Sequence, residues 1–158
     1  MNFLAPTQDT WHVAPEDAGS EPAAHRLFTP EQWATVRATW PRELPAGLRV
    51  PNTLDVETLA DELPRLSAVQ LEFPKWVDGR AYSQAHVLRA RLRYAGSIRA
   101  AGDVVVDMAT QLQRTGFDTA VLREGQDVAT AERALGFFSQ FYQGDVLEPR
   151  PSFARQAA

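Results

Sequence analysis

Six polar residues in the middle of the chain have the types and spacing to hold a small anion. Asp78, Arg80, Tyr82 and Ser83 stand together in DGRAYS, and Arg99 and Asp103 follow in SIRAAGD. Arg80, Tyr82 and Ser83 would present donors at a helix N-terminus, where free backbone amides and the helix dipole already favour negative charge. Asp78 and Asp103 each fall where a strand-to-helix turn needs a cap, and capping alone accounts for both. Arg99 is set between Ile98 and Ala100 and must find an acceptor if it is buried. Two readings of it stand: an ion pair with Asp103 or Glu72, or a residue lining a site.

For these residues to meet, two strand exits must share one rim. Ala68–Phe73 reads as a strand, with Val69, Leu71 and Phe73 alternating with Gln70 and Glu72. Further strands are expected around Leu48 and Val50, over 97–101 and over 117–122. Helices are expected over 80–94, 104–115 and 127–142, with a shorter one through Val56 and Leu63. Gly116 is placed to end the helix before the last strand. The result is four consecutive strand–helix units, which imply a mainly parallel sheet. A half-barrel is favoured, with an open doubly wound sheet as the alternative.

Thr29-Pro30-Glu31-Gln32 has the form of a capping box with proline at the first helical position. Trp33, Val36 and Trp40 then share a face, as core residues. The sequence therefore predicts an irregular arm over 1–28, with a helical N-terminal extension leading into one α/β domain over 29–143. Residues 144–158, rich in Pro, Arg and Gln, are expected to form a flexible C-terminal tail.

Composition excludes several classes of chemistry. The chain has 158 residues, a net charge of -4 and no cysteine, so thiolate metal sites, disulfides and cysteine nucleophiles within it are ruled out. The acidic balance gives little attraction for nucleic acid. His12, His25 and His86 lack metal-ligand spacing, and there is no phosphate-binding loop, dinucleotide fingerprint or nucleophile elbow. No cofactor is expected. No apolar run reaches the roughly 20 residues of a membrane span, and the N-terminus lacks a secretory pattern, so a cytoplasmic protein is expected. His86, Arg89 and Arg93 mark a basic face on the central helix, read as solvated rather than as a docking surface.

FPKWVDGRAYSQAHVLR, GSIRAAGDVVVD and RTGFD together resemble an uncharacterised bacterial family encoded beside sulfite reductase and adenylyl-sulfate reductase genes and often labelled only "oxidoreductase". The resemblance spans roughly residues 47 to 122. Met108 stands where that family tends to have Gln, and Thr115 where Cys is common. The resemblance implies an accessory or assembly protein for assimilatory sulfite and sulfate reduction, without its own redox cofactor and with a sulfite reductase or related reductase as partner. The alternative is a small oxyanion-binding module or enzyme of sulfur metabolism, built on the strand exits near Arg80 and Asp103.

Overall fold

The computed structural model describes residues 1–16, 22–138 and 141–155. Among them seven strands form one sheet: β1 Asn2–Leu4, β2 His12–Val13, β3 Arg26–Phe28, β4 Ala46–Val50, β5 Ala68–Phe73, β6 Ser97–Gly102 and β7 Thr119–Val121. Every pairing is parallel, in the order β1-β7-β6-β5-β4-β3-β2. From β2 to β7, neighbours in sequence are neighbours in space. With no reversal of strand order, right-handed crossovers place the connecting helices on one face. That is a half-barrel, and the doubly wound alternative falls.

The two ends of the sheet show how strongly it curls. Flat, seven strands at about 4.8 Å spacing would put β1 and β2 roughly 29 Å apart. The chain from Leu4 to His12 could span that only if almost fully extended, and it contains a 3-10 turn over Pro6–Gln8. The sheet must bend until its edges approach. The 5–11 link then crosses the concave side as a strap.

Alternation along each strand sorts the side chains. Phe28, Leu48, Leu71, Phe73, Ile98 and Ala120 face the helices, and all are at most 1% exposed. Trp33 and Trp40 pack beside Phe28 as expected, the Phe28 and Trp40 rings 4.9 Å apart. The helices are α1 Pro30–Val36, α2 Arg80–His86, α3 Ala109–Thr115, α4 Val128–Ala134 and α5 Ser152–Arg155. α1 carries the expected capping box, with the Gln32 amide donating to Thr29 Oγ1 at 3.2 Å and the Thr29 amide to Gln32 Oε1 at 3.0 Å.

Three expectations require correction. The N-terminal extension is not chiefly helical, since β1, β2 and β3 precede α1. Strands of two or three residues show no period of their own; they exist because sheet edges supply partners, as when the Asn2 amide donates to Asp118 O at 2.7 Å and the His12 amide to His25 O at 2.9 Å. The helices are also shorter than the ranges expected for them. α2 widens after His86 into a π turn over Val87–Arg91, and α3 is preceded by a 3-10 turn over Val106–Met108. α4 stops at Ala134, leaving Phe138 and Tyr142, which fall within the helix expected over 127–142, 65% and 73% exposed; residues 139–140 of that predicted helix lie outside the described residues. Finally, Arg89 of the basic face is not simply solvated. Its guanidinium donates to Gly116 O, Gly96 O and Tyr94 O and pairs with Asp118, joining α2 to the N-terminal ends of β6 and β7.

The segment after Gly144 contacts α3. Arg114 Nε lies 3.1 Å from Asp145 Oδ2, and the amides of Leu147 and Glu148 donate to Asp145 Oδ1. Residues 17–21 of the predicted arm and 156–158 of the predicted tail lie outside the described residues.

Candidate functional site

At the strand exits, the predicted residues are near one another in chain and space but largely spent on one another. Arg80 donates through Nε (3.0 Å) and Nη2 (2.6 Å) to Asp78, whose Oδ1 also accepts from the Arg80 amide. These bonds hold the Asp78 carboxyl well below its ordinary range. Gly79, not Asp78, is the α2 cap residue. Tyr82 points into the helix layer, its ring 5.1 Å from Phe73 and 6.4 Å from Phe117, and burial pushes its phenol up to about 12. Ser83 is exposed.

Asp103 does not cap the next helix. β5 and β6 run in register to Phe73 and Gly102, so their exits lie side by side. Asp103 Oδ2 accepts from the Trp76 amide at 2.9 Å, and Oδ1 accepts from Arg123 Nη1 at 2.7 Å. The Trp76 amide, then Arg123, keep this carboxyl below its usual range. One carboxylate thus pins the 74–79 loop to the start of the segment after β7. Trp76 and Val77 are carried on that pinned loop at 53% and 65% exposure.

Arg99 belongs to the other side of the sheet. Register aligns Arg49 of β4, Gln70 of β5, Arg99 of β6 and Thr119 of β7 in one row across the concave face. Arg99 is 3% exposed, and its acceptor is neither Asp103 nor Glu72 but Asp9 of the strap, 2.5 Å from Nη2. Trp11 of the strap stands over the guanidinium, 5.6 Å from ring centroid to Cζ. Glu72, also on this face, takes Arg49 at 3.1 Å and Gln70 Nε2 at 2.9 Å. Two buried polar atoms, Arg99 Nε and Gln70 Oε1, have no hydrogen-bond partner among the described residues.

The strap fits this face closely. Gly47 is buried beneath it, and a Cβ there would stand 2.8 Å from the Trp11 ring and 3.0 Å from Ala68 O. Toward the C-terminal ends of the strands the face opens into a cleft of about 250 Å³ lined by Thr29, Pro30, Glu31, Arg49, Pro51, Leu54 and Glu72. Sequence reasoning singled out Arg99 but missed Asp9, Trp11, Arg49 and Gln70. A signal for the last was present. A strand alternating polar and apolar residues inside a parallel sheet means that one face lacks a helical cover.

The fold and these two polar clusters define a singly wound α/β half-barrel with a charged, strap-covered concave face. The chain belongs to the family described as "Bacterial protein of unknown function (DUF934)", whose profile matches residues 47–153. Comparison with curated proteins gives no match. Among the described residues, no helix is long and apolar enough to cross a membrane, and no three His, Asp or Glu side chains are grouped to hold a metal ion.

Proposed function

We propose that this protein is an accessory or assembly factor for cytoplasmic assimilatory sulfite and sulfate reduction, docking on a sulfite reductase or a related reductase. The resemblance carried by DGRAYS and RAAGD motivates the pathway. The observation that carries the docking role is the pinned loop: Trp76 and Val77 are exposed on a backbone held by the Asp103 carboxylate. An exposed aromatic on an immobilised loop loses little entropy on association and makes an effective anchor. The charges beside it are already paired, Arg80 with Asp78 and Arg123 with Asp103, so the rim is suited to contact more than to proton transfer.

Affinity purification of the tagged full chain from its native bacterium tests this reading. A reductase of sulfite or adenylyl sulfate should be recovered, and Trp76→Ser should lose it while leaving thermal unfolding unchanged. Recovery of no such reductase, or undiminished recovery with Trp76→Ser, would refute the respective half of the proposal.

A further inference from the structure

We propose that the concave face is a binding site for a small oxyanion bearing a donor hydrogen, and that Asp9 of the strap occupies it in the free protein. The site is independent of the docking reading, resting on other residues, on the concave face of the sheet and not on the loop at the strand exits.

Arg99 is the centre of the argument. It is 97% buried, yet its bonding is half complete: Nη2 meets Asp9, while no described residue accepts from Nε. The Nε–Nη2 edge of a guanidinium is the edge that receives two oxygens of one anion side by side. Asp9 uses only one of those two donors. Beside Arg99 in register, Gln70 is 6% exposed and commits Nε2 to Glu72, which leaves Oε1 aimed as an unmatched acceptor. Leaving a buried donor and a buried acceptor unmatched is costly. One ligand that offers both an anionic oxygen and an O–H or N–H would satisfy the two together.

Charge balance favours the same class. Glu72 on this face is taken up by Arg49 and Gln70, and Glu31 lies farther off, in the lining of the cleft. Displacing Asp9 would therefore leave Arg99 as an uncompensated buried cation, and a single anionic group restores neutrality. Arg49, Gln70, Glu72 and Arg99 lie inside the matched region 47–153, whereas Asp9 and Trp11 lie outside it. The strap is a built-in competitor, and the cleft lined by Arg49 and Glu72 opens on the same face.

The test is isothermal titration of the full chain at neutral pH with inorganic phosphate, sulfite and sulfate. Every phosphate ion carries at least one hydrogen there, sulfite carries one in part, and sulfate carries none. If Asp9 fills the site about 90% of the time, apparent affinity is reduced about tenfold. Asp9→Asn should then bind phosphate and sulfite about tenfold more tightly than the unaltered protein, sulfate should bind far more weakly, and adding Arg99→Gln should abolish binding. Failure of Asp9→Asn to bind any of the three overturns the site, and equal binding of sulfate overturns the donor requirement. Should Asp9→Asn not fold, Gln70→Glu supplies a second reading, because its carboxylate offers Arg99 Nε an internal acceptor. The unaltered protein should bind phosphate at millimolar concentration and Gln70→Glu should not; indistinguishable titrations overturn the proposal.

Discussion

Gly102→Ala should be among the most damaging single-methyl additions in the molecule. Gly102 ends β6 with φ of +97°, and a Cβ there would lie 2.4 Å from the carbonyl oxygen of Phe73. That oxygen cannot move freely, since it accepts from the Asp103 amide at 2.8 Å. The left-handed conformation costs an L-residue about 1–2 kcal/mol, and forcing a methyl against fixed backbone adds roughly 1–3 kcal/mol. The expected total is about 2–5 kcal/mol, and for a domain of this size each kcal/mol moves Tm by roughly 2–4 °C. A loss of roughly 5–20 °C follows.

Gly125→Ala is the control. Its φ is +81°, but nothing lies within 4 Å of the added Cβ, so it carries the conformational cost without the clash. Any gain from stiffening the unfolded chain is common to both variants and cancels in their difference. Thermal unfolding followed by circular dichroism, with urea titration as a second measure, should place Gly102→Ala several degrees below Gly125→Ala. If the two variants melt together, the close approach of β6 to Phe73 is wrong, and with it the placement of Asp103 beside Trp76.

Asp103 makes a pH-dependent contribution of known sign. Its folded pKa is depressed below 3.8, so its stabilisation is present above about pH 4 and lost as pH falls through the folded value; the Tm gap between the unaltered protein and Asp103→Asn should shrink below that pH. Tyr82 has the opposite dependence, because burial raises its folded pKa from 10.0 to about 12. Stability linked to it is present below pH 10 and declines as pH rises toward 12, and Tyr82→Phe should remove that part of the alkaline loss in a stability–pH profile. Truncation after Gln143 deletes the Asp145 carboxylate that Arg114 and two backbone amides share. At about 1.5–3 kcal/mol for hydrogen bonds to a charged group, Tm should fall by several degrees, and an unchanged Tm would show that the segment adds nothing to the fold.

Local chemistry made several elements legible in the amino-acid order. The β5 alternation of Val69, Leu71 and Phe73 with Gln70 and Glu72, the capping box at Thr29 and Gln32, and the left-handed Gly116 at the end of α3 each depend on residues within a few positions of one another. Successive strands and helices likewise implied parallel pairing, since short crossovers leave few other topologies. β2 could not be read this way. It contains two residues, both exposed, and is a strand only because β3 lies beside it.

The candidate sites divide along the same line. DGRAYS was visible as a turn and helix start, but whether Arg80 is free or held by Asp78 depends on rotamers that a sequence does not encode. Arg99 was conspicuous as a charge inside an apolar run, and burial required that it have a partner. Which partner was a matter of tertiary structure alone. Asp9 lies 90 positions away and reaches Arg99 because the curled sheet brings its two edges close enough for a short strap to cross the concave face. Sequence fixes which groups need a counter-charge; only the closure of the sheet decides which counter-charge is within reach.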